Sequence, residues 1–394
     1  MRILMVSQMT PYLPCHDGFR LVPAHLLREL SGRHALALVS AGADEDTPEQ
    51  REWAAPYCEV VETLPPMQWR QRWTSVPPVH LERARATIDR MIKMFSPDVI
   101  HIEGAAPAPL ARAGRIPTVI GIHDSRALRA REFRRLMRTP WTWLRAWLSE
   151  REESAFERRW LPGADACIVL SEDDRAEVAR YLGSARVHVV PNGVDVAHHE
   201  FRRTGQPGRI VFTGNFSWAP NVDAATRFAT AIFPLIKRAW PAAEFVIAGA
   251  APAPAVRALG AIPGVQVTGT VADLRLNIWS AAVYVSPLRA GFGVKNKILE
   301  AMALGTPIVA TSRSLSGLAN VVPGAHLLHA DSDEEIAAAV QRLLNEPALA
   351  EHLAGNARRL VEQRYTWKAV AARYEAVLAA VAGRCAPPAV GLTA

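Results

Sequence analysis

Short apolar runs alternate along the chain with longer segments whose apolar positions recur every three or four residues. The short runs are continuous, which is typical of strands covered on both faces of a parallel sheet. The predicted strands are Ile3–Ser7, Ala35–Ser40, Val99–Glu103, Thr118–Ile122, Ala166–Leu170, Val187–Val190, Arg209–Thr213, Glu244–Ala248, Val265–Thr268, Val283–Ser286 and Pro307–Ala310.

The segments between these runs have helical spacing. One stripe is formed by Leu81, Ala84, Ile88, Met91, Ile92 and Phe95. Further helices are predicted at Asp173–Leu182, about 221–239, 273–281, 296–304, 333–345, 347–363 and Trp367–Ala382. A polar stretch, His198–Gly208, separates two blocks of alternating strands and helices. The pattern therefore predicts an α/β protein with two parallel, doubly wound sheets.

The predicted organisation has an N-terminal domain at 1–195 and a C-terminal domain at 196–365. A last helix at 366–383 and a tail at 384–394 follow. The length of 394 residues suits two domains of this size. Two such domains facing each other form a cleft, and ligands of doubly wound sheets bind at the carboxyl ends of the strands.

Composition excludes a disordered or fibrous chain, because 49% of residues are hydrophobic and 21% are charged. The 45 basic and 38 acidic residues give a net charge of +7, which favours an acidic partner such as a phosphate, a nucleotide, anionic lipid or nucleic acid. The cysteines form no C-x-x-C pair, and no apolar run is long enough for a signal peptide or a membrane span. We therefore expect a cytoplasmic protein with reduced thiols.

In the N-terminal block, two strand ends carry candidate chemistry. The loop Pro14–Arg20 offers a glycine, a helix N-terminus and the charge of Arg20, although an ordinary turn would look the same. His123 follows a strand and precedes Asp124, which suits hydrogen bonding or proton transfer, whereas the alternative is a structural histidine. His101 beside Glu103 shares this argument more weakly.

The segment 126–147 combines basic and aromatic residues. Its arginines are at 126, 129, 131, 134, 135, 138 and 145, with a single acid, Glu132, and its tryptophans are Trp141, Trp143 and Trp147. The preferred interpretation is a solvated helix whose tryptophans pack on their own domain. Binding to anionic lipid comes next. Nucleic-acid binding comes last, because no recognition fold accompanies the charge.

The densest signal lies between 286 and 311. A strand is followed by a glycine loop, Gly291 to Gly293, and a helix that begins near Asn296. Arg289, Lys295 and Lys297 surround the loop. Glycine backbone, a helix N-terminus and cations together suit a diphosphate. Glu300, one turn into the helix, could accept hydrogen bonds from a ribose diol.

Other ligand signatures are absent from the sequence. There is no G-x-G-x-x-G after a first strand and no P-loop motif. Asp331-Ser-Asp333 precedes a helix, so helix capping explains it, and Asp44-Glu-Asp46 lies in a polar loop. No metal site is predicted.

Taken in order, several segments of the chain resemble the retaining family 4 glycosyltransferases of the GT-B fold, and within them the sugar transferases of bacterial exopolysaccharide clusters. The matching segments are 190–195 (VPNGVD), 212–223 (FTGNFSWAPNVD), 245–249 (FVIAG), 267–273 (VTGTVAD) and 297–310 (KILEAMALGTPIVA).

The resemblance implies a nucleotide-diphosphate sugar, UDP- or GDP-linked, held by the C-terminal domain, and a glycan or lipid-linked acceptor held by the N-terminal one. It implies transfer with retention of configuration, without a required metal or further cofactor. Glu300 matches the ribose-binding glutamate, and His123 the histidine near the transferred sugar. The implied donor contacts are Gly18, Gly214, Asn215, Gly249, Thr270, Val271, Gly293, Val294, Lys295, Asn296 and Glu300. The implied acceptor contacts are Asp17, Arg20 and Asp124.

Three positions depart from the family pattern. The first glutamate of E-x7-E is replaced by Phe292, the N-terminal loop has one glycine at Asp17-Gly18, and Asn215–Trp218 stands where an arginine and a lysine are usual. We hypothesise that Arg289 and Lys297, with Lys295 a weaker candidate, supply the missing charge on the diphosphate. Retention without a second placed carboxylate favours front-face attack, with His123 orienting the sugar.

The leading hypothesis is a transferase of cell-surface polysaccharide or glycolipid synthesis, attached to the inner face of the membrane if the 126–147 segment binds lipid. Three alternatives remain open. A nucleotide-sugar epimerase would need no acceptor, a non-catalytic protein would bind membrane or polyanion through 126–147, and an inactive relic would only bind the donor. Nucleic acid is not an expected partner of the leading hypothesis.

Overall fold

The computed structural model describes residues 1–15, 18–41, 46–65, 78–111, 116–135, 137, 139–291 and 294–383, without the side chains of 78–80. Within this part, the chain forms two compact units. The first unit comprises Met1–Asn192 and the chain from Trp367 onward, and the second unit comprises Gly193–Thr366. The predictions for Asp17, Phe292, Gly293, Arg138, Asp44 and the tail 384–394 fall outside the described residues.

The first unit is built on a parallel sheet. Among its described residues the strands are β1 Arg2–Ser7, β2 Ala35–Ala41, β3 Val60–Leu64, β4 Val99–Glu103, β5 Thr118–Ile122, β6 Ala166–Val169 and β7 Val187–Val189. Their order is β3-β2-β1-β4-β5-β6-β7. The helices are α1 Gly18–Leu30, α2 Pro48–Glu52, α3 Pro78–Phe95, α4 Arg126–Arg135, α5 Pro140–Trp160 and α6 Glu172–Leu182.

The second unit repeats this plan. Within the described residues its strands are β8 Gln206–Thr213, β9 Glu244–Ala248, β10 Val265–Gly269, β11 Ala281–Ser286, β12 Ile308–Ala310 and β13 Leu328–His329, in the order β10-β9-β8-β11-β12-β13. Its helices are α7 Ala219–Arg227, α8 Phe233–Ala239, α9 Pro254–Ala258, α10 Leu274–Trp279, α11 Asn296–Leu304, α12 Ser312–Leu315, α13 Asp333–Asn345 and α14 Pro347–Arg364.

The last helix, α15 Trp367–Val381, belongs to the first unit. Trp367 and Tyr374 are buried in a core that also contains Ile3 of β1 and Leu26 of α1. Trp367 stacks on His25 with ring centroids 4.2 Å apart. The opposite face of the same sheet packs against α3, where Ile88 and its neighbours are buried. Burial on both faces explains why the strands are continuous apolar runs.

The two parallel sheets with alternating helices confirm the predicted fold class. The strands β3 and β13 were missed, and the polar stretch predicted as a linker at 198–208 overlaps β8, which begins at Gln206. The helix predicted at 221–239 is interrupted by a π-helical segment, Phe228–Ile232. None of the helices in the described ranges is both long enough and apolar enough to cross a bilayer.

Candidate functional site

Two loops of the second unit approach each other at the carboxyl ends of β8 and β9. The Gly249 backbone has φ +150°, and a β-carbon there would lie 1.9 Å from the Gly214 carbonyl oxygen. A β-carbon on Gly214 would lie 2.7 Å from Asn221 Nδ2 and 2.9 Å from Lys297 Nζ. Both predicted donor-site glycines are therefore required by the local packing, and they leave backbone open beside a cation.

Lys297 lies at the centre of this cluster, on the first turn of α11. Its Nζ donates to Asn221 Oδ1 at 2.9 Å and lies 4.6 Å from the centroid of the Phe212 ring. Burial lowers the pKa of Lys297 to about 7; the charge of Lys295 acts in the same direction and that of Glu300 opposes it. A lysine poised near neutrality gains its charge most readily when an anion binds beside it.

The glycine loop before α11 packs tightly at its first residue. Gly291 has φ +134°, and a β-carbon there would lie 3.1 Å from Cη2 of Trp218 and 3.5 Å from Cε of Lys295. Lys295 itself is buried. The backbone at 291 is thus held close to the side chains of Trp218 and Lys295, in a conformation that favours glycine.

Arg289 has a different environment from the one predicted. Its guanidinium pairs with both carboxylate oxygens of Asp223, at 2.6 and 3.1 Å, and its side chain is 55% exposed. Arg289 was hypothesised to supply charge on the diphosphate together with Lys297. In the structure Asp223 pairs its charge, whereas Lys297 lies beside Gly214 and Lys295 beside Gly291.

Glu300 lies one turn along α11 from Lys297 and is half-buried. It is close enough to influence the pKa values of both Lys297 and Tyr284. Tyr284 is buried on β11, and its hydroxyl lies 2.9 Å from Thr213 Oγ1 at the end of β8. Burial raises the pKa of Tyr284, so the phenol stays neutral beside the carboxylate. The buried Thr213–Tyr284 pair therefore links the ends of β8 and β11 close to Glu300.

The remaining donor-site predictions occupy neighbouring strand ends. Thr270 is exposed and Val271 half-buried directly after β10, and Val294 and Asn296 are half-buried at the start of α11. Asn215 is exposed, and its Oδ1 accepts from the backbone and hydroxyl of Ser217, so its side chain stabilises its own loop.

In the first unit, His123 ends β5 and contacts a buried carboxylate. Its Nε2 lies 2.7 Å from Glu103 Oε1, while His101 Nε2 lies 2.6 Å from Glu103 Oε2. Burial alone would raise the pKa of Glu103, but the hydrogen bonds and charges of His101 and His123 lower it to about 2. His123 was the main candidate in the sequence, and His101 beside Glu103 was a weaker one. The structure joins all three side chains.

The loop before α1 brings Gly18 close to the same histidine. A β-carbon on Gly18 would lie 3.7 Å from His123 Nδ1, and the Phe19 ring centroid is 4.9 Å from that of His123. Asp124 is half-buried.

Arg20, a predicted acceptor contact, is buried in an ion pair. Its side chain is only 5% exposed and pairs with the buried Asp46 at 2.7 Å. It also donates to the Thr10 carbonyl oxygen at 3.1 Å. Its guanidinium therefore joins the segments after β1 and β2, and the physical reason is that a buried charge needs a partner.

The basic segment 126–147 forms α4, a short connection and the first part of α5. Three of its arginines pair with acids that lie outside the segment. Arg134 contacts Glu150 at 2.6 Å, Arg131 contacts Glu150 and Glu177, and Arg126 contacts Glu153. The positive charge of these arginines is thus neutralised within the unit.

The start of α5 nevertheless exposes large apolar side chains. Trp141, Leu144 and Leu148 are 78%, 40% and 47% exposed, and their spacing of three and four residues places them on one helix face. Arg145 is exposed beside them. Trp143 is 43% exposed, with the Arg134 guanidinium carbon 5.4 Å from its ring centroid. The preferred interpretation, in which the tryptophans pack on their own domain, is therefore wrong for Trp141 and Trp143.

Within the described residues, no group of three histidine, cysteine, aspartate or glutamate side chains could hold a metal ion. Asp331-Ser-Asp333 works as a helix start, as predicted. Ser332 caps α13 in a capping box with Glu335, while Asp331 accepts from Ser312 and Asp333 pairs with Arg227.

Comparisons with known proteins agree with this architecture. The family model "Glycosyltransferase Family 4" matches residues 18–198, and "Glycosyl transferases group 1" matches residues 207–346. One similar protein is a phosphatidyl-myo-inositol mannosyltransferase of Propionibacterium freudenreichii, 29% identical over 164 residues, 39% of this chain and 40% of that protein. A glycogen synthase of Mycobacterium tuberculosis is 28% identical over 320 residues, 75% of this chain and 72% of that protein.

Solved structures show the same fold. Sucrose-phosphate synthase from Thermosynechococcus elongatus superposes with a TM-score of 0.70 at 18% identity, covering 95% of this chain and 97% of that one. Anabaena HepE in complex with UDP-glucose gives 0.64 at 15% identity, covering 96% and 100%. The chain therefore has the GT-B glycosyltransferase fold. The tandem family matches go further and support its assignment as a family 4-like glycosyltransferase.

Proposed function

We propose that this protein transfers a sugar from a nucleotide-diphosphate sugar to an acceptor. One observation carries the proposal: in the second unit, the glycine backbone at 214 and 249 lies beside Lys297, on the first turn of α11. A cation, close-lying backbone and a helix N-terminus form an arrangement that stabilises the charge growing on a leaving diphosphate. The Anabaena HepE structures with UDP and UDP-glucose support UDP as the first nucleotide to test.

In this proposal each polar group has one task. Lys297 binds the diphosphate, with Asn221 holding its ammonium group in place through Oδ1. Lys295 adds positive charge nearby, and Arg289, paired with Asp223, has a smaller part. Glu300 accepts hydrogen bonds from the ribose hydroxyls, a contact for which a carboxylate is well suited.

We further propose that transfer proceeds with retention of configuration and without a required metal. The first unit contributes His123, which orients the transferred sugar, and binds the acceptor. Sugar transfer passes through a transition state with oxocarbenium character. Retention without a second placed carboxylate favours attack by the acceptor on the face that the diphosphate leaves. A glycan or lipid-linked acceptor of cell-surface polysaccharide synthesis is the proposed class.

A thermal-shift screen against UDP, GDP, ADP and their glucose conjugates tests the donor proposal. Ligands that bind the native state raise its unfolding midpoint by mass action. We expect one nucleotide series to stabilise the protein equally with and without a chelator. Failure of every nucleotide to shift the midpoint would contradict the donor proposal. A separate product analysis, with the sugar nucleotide and no acceptor, tests the alternative. An isomerised sugar nucleotide in that reaction would indicate an epimerase.

The exposed face of α5 supports a second proposal, that the first unit docks on anionic membrane. Trp141, Leu144 and Leu148 lie on one side of the helix with Arg145 beside them. Tryptophan and leucine insert at the boundary between headgroups and acyl chains, and arginine binds lipid phosphate. Such docking would bring the enzyme to a lipid-linked acceptor.

A further inference from the structure

Glu103 binds two imidazoles from inside the first unit. It is 1% exposed at the end of β4, with Oε1 2.7 Å from His123 Nε2 and Oε2 2.6 Å from His101 Nε2. The contact with His101 has hydrogen-bond geometry, and the contact with His123 is a close ion pair, so each carboxylate oxygen faces a different ring. The position of the Glu103 carboxylate relative to His123 is therefore determined by the sheet and not by a surface loop.

A glycine on the neighbouring strand makes room for this carboxylate. Gly121 pairs with Glu103 across β5 and β4. A β-carbon on Gly121 would lie 2.6 Å from Glu103 Oε2 and 3.2 Å from His101 Cε1. Any larger residue at 121 would displace the carboxylate, so the glycine and the glutamate form one structural feature.

The hydrogen-bonding partners indicate which histidine carries the positive charge. His101 is fully buried, and its Nδ1 has no hydrogen-bond partner among the described residues. Protonating that nitrogen would bury an N–H without an acceptor, at a cost of about 1–3 kcal/mol. A neutral His101 with its proton on Nε2, donated to Glu103, avoids this cost. One negative charge on Glu103 then remains to be balanced by His123.

Three further described groups lie near these two histidines. The start of α1 at Gly18 lies near Nδ1 of His123, and a helix N-terminus opposes a positive charge. Phe19, which packs on the His123 ring, is uncharged. Tyr374 of α15 meets His101 edge-on, and its pKa is raised by burial and by Glu103, so it stays a neutral phenol. Among these described contacts, the Glu103 carboxylate is the group that favours protonation of His123.

We propose that Glu103 is a positioning residue that favours the imidazolium form of His123 through the close contact between its carboxylate and Nε2 of that ring. This inference deepens the proposed function and rests on it. In the proposed transfer, a charged N–H donor would orient a sugar hydroxyl or oxygen more strongly than a neutral ring would. His101 takes the second carboxylate oxygen and keeps Glu103 from rotating away.

Histidine protonation can be measured directly in the full chain, labelled at the ring carbon Cε1 with ¹³C, by following the NMR signals with pH. The signals of His123 and His101 are assigned by their loss in His123→Asn and His101→Asn. We expect the pKa of His123 to lie above the ordinary histidine value of about 6.5, because the Glu103 carboxylate favours the charged ring. In Glu103→Gln its pKa should fall by about one or more, and Glu103→Asp should partly restore it. Glu59→Gln, at a surface pair with Arg2, should leave it unchanged.

A wild-type His123 that titrates at or below about 6.5, or a His101 that carries the charge in its place, would overturn the proposal. An equal response to Glu103→Gln and Glu59→Gln would do the same. If Glu103→Gln does not fold, the wild-type titration still decides. Because no nucleotide or sugar is present, failure of this experiment is distinguishable from failure of the proposed transfer reaction.

Discussion

Gly249 and Gly214 lie so close that a β-carbon on the first would be 1.9 Å from the carbonyl oxygen of the second. The two residues end neighbouring strands, and Gly249 N–H donates to Gly269 at the end of a third, at 3.3 Å. The carboxyl edge of this sheet is thus drawn together by backbone alone. This leaves the Lys297 ammonium group as the charged side chain beside the Gly214 backbone.

Gly249→Ala should therefore be strongly destabilising. The new methyl group meets backbone, which cannot rotate away, and the +150° φ angle is itself strained for alanine. We expect a loss of more than about 3 kcal/mol in the free energy of unfolding, measured by urea denaturation. Gly355→Ala, inside α14, is the matched control: its new methyl group would have no described atom within 4 Å, and the variant should gain about 0.5–1 kcal/mol. Similar losses in both variants would contradict the packing argument.

Lys297 should make UDP binding depend on pH. Its pKa of about 7 in the free protein means that it is largely neutral above that pH, whereas diphosphate binding requires the ammonium form. The terminal phosphate of UDP ionises near pH 6, so its charge is constant above about pH 7.5. Between about pH 7.5 and 9 we expect the affinity, measured by calorimetry, to fall several-fold to tenfold per pH unit, with proton uptake on binding.

Lys297→Met should bind UDP weakly and lose this pH dependence, while Lys93→Met, at an exposed position of α3, should behave like the wild type. A pH dependence that survives in Lys297→Met would assign the titration to another group. Retained affinity in that variant would remove Lys297 from the diphosphate site.

Local signals explain which elements could be predicted from the sequence. The predicted bounds of α11 and α13 agree with the structure to the residue, because Gly305 ends α11 with φ +84° and the Ser332 capping box starts α13. Strand β13 is only Leu328–His329, too short to produce a pattern. Strand β3 carries Glu62 and Thr63, so its apolar run is broken.

Contacts between distant residues explain what the sequence could not predict. Arg20 pairs with Asp46 and Glu103 with His123, and neither pair has a recurrent spacing. The charge of 126–147 appeared unbalanced because its acids, such as Glu177, come from later helices. Gly121 gave no signal at all, since only the folded sheet brings it beside the Glu103 carboxylate.

Glu300→Ala should separate nucleoside binding from diphosphate binding. If Glu300 holds the ribose, its loss should weaken UDP by about tenfold or more, since hydrogen bonds to a charged group contribute roughly 1.5–3 kcal/mol. Inorganic pyrophosphate, which has no ribose, should bind the variant and the wild type equally in the same calorimetric assay. Glu334→Ala, on the exposed start of α13, serves as a control. Equal weakening of both ligands would show that Glu300 acts on the diphosphate or on the fold.

A buried carboxylate beside the start of α4 should make stability depend on pH. Glu157 accepts from the Arg126 backbone at 2.6 Å and from the Ser125 hydroxyl at 3.1 Å, and burial raises its pKa to about 7. The native state then binds a proton that the unfolded chain releases at about pH 4.5, so stability falls as pH rises from about 4.5 to 7. The loss is on the order of 3 kcal/mol. Glu157→Gln should flatten this window in urea titrations, and an unchanged slope would show that Glu157 is ionised throughout.

The apolar face of α5 should decide membrane attachment. Trp141, Leu144 and Leu148 are exposed on one side of the helix, while most of the arginines on α4 are paired with glutamates, so docking should depend more on insertion than on charge. In flotation with vesicles containing anionic phosphatidylglycerol, we expect the wild type to float, and a Trp141→Ser, Leu148→Ser double variant to remain at the bottom. Leu276→Ser with Val322→Ser removes two equally exposed apolar side chains from the second unit and should float normally. If the α5 variant still floats and salt abolishes its binding, attachment depends on charge alone. If neither the wild type nor the α5 variant floats at low salt, this surface is excluded as a membrane site.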